Sequence, residues 1–413
     1  MNIVFIADST TMLLELDRLL INDVNIIWVV YHEPVYKELI KHGIESGRVK
    51  YIDLRFPFIT RPLLIKKILN KTFYFLFKER ALEYYFQHVV KSLNKKYNPK
   101  FYLTDTSGLI SKVDTVSPKA TILHSVPYKN FYLSLYNLNY DILFLPGNYH
   151  KKRIEKYLSS LNLSQSQLEV IGNLKLSSFV NKKTLSEKFR GKLLESYGLN
   201  PKWPLVLFAP TWDAFSVPKT KPTDGDKFFP DEFKNQYKRL EEYAEFLEKN
   251  KLNLIIKFHH YMECNFKSKN IEKIISKKNT SLFKTISGHD SLEGGGNDVL
   301  MASDIVIGET SGVLTTAIYL DKKIIFIEPG RQFDWSTVDI EKKLRPGYVC
   351  RTFDDLLGAT SDYIIKDEFV KQRAEFNDRV FYNLCFHESK HLCAEVLSTI
   401  GPTYAATRNV ASP

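Results

Sequence analysis

Cysteine is scarce and scattered in this 413-residue chain: Cys264, Cys350, Cys385 and Cys393 share no CxxC spacing. Neither a thiolate zinc site nor a disulfide framework is indicated, and a reducing compartment is the expectation. No stretch reaches the roughly 18 consecutive apolar residues of a membrane-spanning helix. The N-terminus, MNIVFIADSTTM, lacks a basic leader, and its short apolar run reads as a first core strand. Internal repeats and low-complexity tracts are also missing. A dinucleotide fingerprint is not supported, because Gly294, Gly295 and Gly296 follow no strand and read as a loop into a helix at Asp298–Ala302. The expectation is a cytoplasmic protein whose membrane contact, where it exists, is peripheral.

What is present is apolar content of 44%, enough for two cores in a chain longer than the 250 to 300 residues or so at which one core stops growing. The net charge of +11 points to an anionic partner: a nucleic acid, an acidic polymer, a nucleotide substrate or an anionic membrane face. Short apolar strands alternate with helical patterns, at Ile3–Ala7, Ile26–Tyr31, Phe101–Thr104, Thr121–His124 and Ile142–Leu145, then at Leu205–Ala209, Leu254–Phe258, Ile305–Ile307 and Ile324–Ile327. This rhythm predicts an α/β fold with one doubly wound parallel sheet in each half. A lysine-rich helix, Leu185–Tyr197, marks the seam, and Ser216–Asp226 reads as a polar loop beside a strand end.

One segment breaks the rhythm. From Phe56 to Arg80, aromatic and aliphatic residues interleave with Arg61, Lys66, Lys67, Lys71, Lys78 and Arg80. The pattern fits an interfacial helix on anionic lipid, or equally a packed helix whose lysines face water. No recognised nucleic-acid motif accompanies the charge, so no nucleic-acid partner is expected.

Ligands of parallel sheets bind beyond the carboxyl ends of the strands. There the chain places His124 and Ser125, then Pro210, Thr211 and Trp212, then Lys257, His259 and His260, and finally the turn Gly308–Gly312. That turn precedes a helical stretch, Val313–Leu320, and carries the Thr310 and Ser311 hydroxyls beside backbone N–H groups. Its chemistry suits either a diphosphate or an ordinary helix cap. The HESKH run, His387 to His391, spells a zinc-protease signature, but no third-ligand pattern follows and no metal is expected.

In this order the motifs LHSVP, APTW, KFHH and GETSGV resemble those of the CDP-glycerol glycerophosphotransferases of teichoic acid synthesis and their capsule relatives. The family's Trp–His–Gly–Thr–Pro, Ala–Pro–Thr–Trp, Arg–x–His and Thr–Asp–Tyr–Ser–Ser–Val motifs fall at His124, at Ala209–Trp212, at Lys257–His259 and at Gly308–Val313. The chain departs from them with Asp213 after Trp212, Lys175 in the Gly–x–Pro–Arg position, and Glu309, Thr310 and Gly312 within the turn.

The resemblance implies a GT-B architecture: a Rossmann-like acceptor domain over residues 1–180 with a membrane-contacting helix at 56–80, a Rossmann-like donor domain over 181–385, and a terminal helix and tail over 386–413. It implies that Thr310, Ser311 and the N–H groups of Gly312 and Val313 hold a diphosphate, with Glu328 toward the ribose. Pro210, Thr211, Trp212, Lys257 and Glu309 complete the donor side, and Ser125 and Tyr128 face the acceptor. His124, His259 or His260 would act as base. The implied partners are a CDP-glycerol-type donor, a polymer or lipid-linked acceptor and the inner face of the membrane, with no cofactor. Three other readings stay open: a glycosyltransferase using a UDP-, CMP- or CDP-sugar, an epimerase of UDP-N-acetylhexosamine with Asp105 and Asp114 as acid and base, and a basic adaptor without catalysis.

Overall fold

The computed structural model describes residues 2–7, 17, 25–30, 33–52, 86–104, 109–123, 140–160, 167–172, 176, 187–209, 237–257, 283–286, 295–308, 312–327, 345–350 and 352–380. The chain divides into two compact units, each built on one sheet, the second consisting mainly of Ser178–Val380.

The strands of the first unit are β1 (Asn2–Ala7), β2 (Asn25–Val30), β3 (Val49–Tyr51), β4 (Phe101–Thr104), β5 (Lys119–Ile122), β6 (Ile142–Leu145) and β7 (Gln167–Val170). The second has β8 (Leu205–Ala209), β9 (Asn253–Lys257), β10 (Phe283–Ile286), β11 (Ile305–Gly308), β12 (Lys323–Ile327) and β13 (Tyr348–Cys350). The described helices are α1 (Glu33–Lys41), α2 (within 86–97), α3 (Asn148–Ser160), α4 (Glu187–Ser196), α5 (Tyr237–Lys249), α6 (Gly295–Ala302), α7 (Gly312–Tyr319), α8 (Phe353–Ile365) and α9 (Val370–Val380).

Both sheets are parallel throughout, in the orders β3-β2-β1-β4-β5-β6-β7 and β10-β9-β8-β11-β12-β13. Each is the Rossmann order, growing outward from its first strand and then reversing, so the two doubly wound sheets expected from the sequence are present. The reversals fall between β1 and β4 and between β8 and β11.

The central strands form because both their faces are covered, which rewards unbroken apolar runs over alternation. β8, LVLFA, is buried at every residue. In the first unit Val4, Ile6, Val29, Tyr102 and Leu143 pack with Phe86, Val90 and Leu93 of α2. On one face of the second sheet Val206, Phe208, Leu254, Ile256, Ile305, Ile307, Ile325 and Ile327 pack against Tyr243 and Leu247 of α5 and Leu356 and Tyr363 of α8. Burying each such side chain contributes about 1.5–3 kcal/mol relative to leaving it in water.

Polar residues lock the amino-terminal edge of the second sheet. Asn253, fully buried, donates through Nδ2 to the carbonyls of Asn200 (2.8 Å) and Trp203 (3.1 Å) and accepts from the Asn200 N–H (3.1 Å). Arg190 donates to the carbonyls of Pro201, Trp203 and Ala302 and to Asp304, whose Oδ2 also accepts from the Leu205 N–H at 2.7 Å. These bonds tie the seam helix α4 to the starts of β8 and β11, leaving the opposite edge for ligands.

Two expectations need correction. β5 ends at Ile122, with Leu123 still donating to the Phe144 carbonyl (2.9 Å), so the strand is shifted two residues toward the N-terminus from Thr121–His124. α6 starts at Gly295, so Gly295 and Gly296 form part of its first turn and are not a loop. The segments 56–80, 216–226 and 381–413, with the HESKH run, lie outside the described residues. Among the described residues no helix is long and apolar enough to cross a membrane.

Candidate functional site

The second sheet brings the ends of β8, β9 and β11, which bear motifs, and of β12 to one level. Ala209 at the end of β8 pairs with Gly308 at the end of β11, and Gly308 pairs in turn with Phe326 of β12. On the other side Phe208 pairs with Ile256, which places Lys257, the last residue of β9, beside the end of β8. The sequence then continues from β9 into Phe258–His260, from β8 into Pro210–Trp212, from β11 into Glu309–Ser311 and from β12 into Glu328. The reversal of strand order lies in the middle of this set, between β8 and β11, where open α/β sheets hold their ligands.

Side-chain alternation sharpens the geometry. Phe208, Ile256 and Ile307 belong to the core on the α5 and α8 face. Lys257, Ala209 and Gly308, one residue further on, therefore face the other way, toward α7. Gly308 confirms this: a Cβ placed on it would lie 3.6 Å from the Leu314 side chain of α7. The same Cβ would stand 2.7 Å from the Ala209 carbonyl oxygen, closer than real Cβ atoms come. Glycine at 308 thus lets the ends of β8 and β11 meet.

α7 opens with Gly312 and Val313, both half-buried, while Leu314 to Ile318 are buried. The opening N–H groups of a helix have no acceptor within it, and its dipole places partial positive charge there. Thr316 turns its hydroxyl inward, donating to the Gly312 carbonyl at 2.9 Å. Lys257 adds a half-buried cation at the end of β9. The arrangement suits an anion.

Of the residues expected at the site, Lys257, Gly312 and Val313 are described and lie along the carboxyl edge of one sheet. His124, Ser125, Tyr128, Pro210, Thr211, Trp212, His259, His260, Glu309, Thr310, Ser311 and Glu328 lie outside the described residues. Gly308, expected as the first residue of the turn, is the last residue of β11 and a packing requirement. Cys350 is no nucleophile candidate, because burial pushes its thiol up to about 12, with the Asp355 charge adding to the effect.

Replacing Gly308 with alanine should force the β8 and β11 ends apart, lowering stability by about 1–3 kcal/mol. Turnover should fall at least tenfold, on the order of the loss expected from a displacement under 1 Å. Thermal unfolding and initial rates on one protein preparation check both; unchanged values would show that the strand ends tolerate separation.

Comparison with known proteins agrees with this geometry. Residues 148–396, more than half of the chain, match the family described as CDP-Glycerol:Poly(glycerophosphate) glycerophosphotransferase. Among curated proteins none matches the chain in sequence. Among solved structures, the wall teichoic acid polymerase TagF is similar at 13% identity and a TM-score of 0.54, covering 97% of this chain and 90% of that one. The MnaA–UDP co-structure from S. aureus is similar at 13% identity and a TM-score of 0.58, covering 95% of each chain. UDP-GlcNAc 2-epimerase from Neisseria meningitidis bound to UDP-GlcNAc is similar at 11% identity and a TM-score of 0.60, covering 97% of this chain and 100% of that one. At such identities the structures establish the fold, GT-B, and nothing finer. The family match goes further: this chain belongs to the CDP-glycerol:poly(glycerophosphate) glycerophosphotransferase family and is a transferase.

Proposed function

We propose that the enzyme moves glycerol phosphate, or a related polyol phosphate, from a CDP-activated donor to a teichoic acid or capsule type of surface polymer or its lipid-linked primer, releasing CMP. The observation that carries this reading is the alignment of the β9, β8, β11 and β12 ends around one strand-order reversal, the first three leading into motifs of the family and β12 into Glu328. Thr310, Ser311 and the N–H groups of Gly312 and Val313 cradle the diphosphate, and Glu328 reaches the ribose. Pro210, Thr211, Trp212 and Glu309 complete the donor site, with Ser125 and Tyr128 on the acceptor side.

The acceptor hydroxyl loses its proton to His124 or His259 as its oxygen bonds to the polyol-bearing phosphorus. The bond from that phosphorus to the bridging oxygen breaks, and CMP leaves with the electron pair. Histidine suits the step because an unperturbed pKa near 6.5 leaves much of it neutral at cytoplasmic pH. Lys257, with the second histidine in its protonated form, offsets charge growing on the transferred and departing phosphates. The basic, aromatic segment 56–80 would hold the enzyme peripherally on the inner face of an anionic membrane.

With CDP-glycerol and a glycerophosphate-bearing acceptor, the pure enzyme should release CMP in step with polymer growth. No turnover with any CDP-polyol would overturn the reading. The residues Glu309, Thr310 and Gly312, which depart from the family turn, favour one alternative, transfer from a nucleotide sugar. A panel of CDP-polyols and UDP-, CMP- and CDP-sugars separates the two, since the true donor at about 100 times its Kd protects against unfolding by about 2.7 kcal/mol.

A further inference from the structure

We propose that α9 is a clamp fixing the position of α7, with Arg373, Asn377 and Asp321 as positioning residues for the donor; the inference rests on the reading of the α7 N-terminus as part of the diphosphate site. Arg373 is 1% exposed, and its guanidinium is shared between two carboxylates. Its Nε donates to Asp321 Oδ1 at 2.7 Å, and its two terminal nitrogens donate to Asp367 Oδ1 and Oδ2 at 3.0 and 2.7 Å. Asn377, one helical turn further and so on the same face of α9, donates through Nδ2 to the Ile318 carbonyl at 3.0 Å. Asp367 is itself tied to the start of α9 by accepting from the Phe369 N–H at 3.1 Å.

Both grips fall on the C-terminal end of α7. That end closes with the Asp321 N–H donating to the Ile318 carbonyl (3.0 Å) and the Lys322 N–H to the Ala317 carbonyl (2.9 Å). Asp321 is left-handed, with φ of 56°. Glycine is the usual occupant of this closing position, and a side chain there costs conformational energy. Aspartate supplies a carboxylate for Arg373, so a strained residue is used where glycine would relax.

A directional ion-pair link differs from apolar packing in what it fixes. Apolar residues of equal volume often stabilise a buried site as well or better, but they tolerate sliding. One charge-assisted bond and one amide bond set the position of the helix end, and two further charge-assisted bonds to Asp367 anchor Arg373 on the α9 side. α7 has eight residues, about 12 Å of rigid rod, so holding its C-terminus also holds the N–H groups of Gly312 and Val313. Displacements of about 1 Å at a reacting group cost up to 10²-fold in rate.

The discriminating variants are both at one position. Asp321→Gly removes the link yet relaxes the left-handed residue, so the fold is retained. Asp321→Asn keeps an acceptor for Arg373 and tolerates the conformation. The expectation for Asp321→Gly is a KM for CDP-glycerol raised about tenfold with a smaller change in kcat, and faster amide exchange at the hydrogen-bonded N–H groups of Thr316 to Leu320, with Asp321→Asn restoring both to within about twofold. Native KM and native exchange in Asp321→Gly would overturn the clamp. Failure of the donor-site reading shows separately: native protein that gains no thermal protection from CDP does not use α7 as a diphosphate cradle, whatever the exchange rates report. In that case the role in donor positioning falls too.

Discussion

His259→Ala should lower CMP release at saturating donor by about 10²–10⁴-fold, the usual range for loss of a positioned general base, while leaving thermal stability unchanged. His124→Ala is expected to match it if both histidines serve the same transfer, and the double variant should be no worse than the poorer single one, since residues acting as a unit are not additive. The case for His259 over His260 starts from Lys257, the last residue of β9. Lys257 shares the α7-facing side of the sheet with Ala209 and Gly308, whereas Ile256 points into the opposite core. In the family's Arg–x–His motif the histidine stands two residues after the basic one, which is His259 and not His260. His260→Ala therefore retains activity to within about tenfold. The reverse pattern, with His260 essential and His259 dispensable, would place the base one residue further along the chain.

Which parts of this architecture could be read in advance follows from how each residue earns its place. Strands β1, β4, β6 and β8 show in sequence because both their faces are covered, so runs such as IVFIA, ILFL and LVLFA are apolar from end to end. The strands without such a run, β3, β7, β10 and β13, are the four edges of the two sheets. An edge strand pairs on one side and stays partly open to water. VKY in β3 has no fully buried residue, QLEV in β7 has only Leu168, and YVC in β13 has only Cys350. Their composition is that of a loop, and only a neighbouring strand makes them strands.

The candidate site divides along the same line. Lys257, Gly312 and Val313 stand where a strand or helix end is recognisable from local pattern alone. Gly308 reads locally as a turn glycine; its true constraint is the Ala209 carbonyl, 99 residues earlier in the chain. Arg373 reads as one more solvated cation in VKQRAEFNDRV, and only the fold brings Asp321 to it. Groups that act through local chemistry are legible in sequence. Groups that act by closing a long-range contact are not.

Gly347→Ala is expected to be the most destabilising single-methyl change in the second unit. A Cβ on Gly347 would lie 2.1 Å from the Ile324 carbonyl oxygen and 2.9 Å from both its carbonyl carbon and its Cβ. None of these is the free end of a flexible side chain, so the backbone of β12 or the start of β13 has to move. Ile324 has little room to do so. Its carbonyl accepts from the buried Tyr363 hydroxyl at 2.9 Å, and its N–H donates back to that hydroxyl at 3.3 Å. The Tyr363 ring packs edge-on against Tyr348 of β13, with centroids 4.8 Å apart, and against Phe369 at 6.1 Å. Moving the strand therefore breaks hydrogen bonds to a buried phenol and loosens an aromatic cluster together. The expected cost is at least about 3 kcal/mol, a fall in Tm of roughly 6–12 °C for a unit of this size. Gly358 provides the control. It lies in α8 with nothing within 4 Å of an added Cβ, so Gly358→Ala should be neutral or raise stability by up to about 1 kcal/mol through helix propensity. Equal Tm values for the two variants would show that the approach of Gly347 to Ile324 carries no energetic weight. A large gap would establish that one glycine sets how closely β13 can join the sheet.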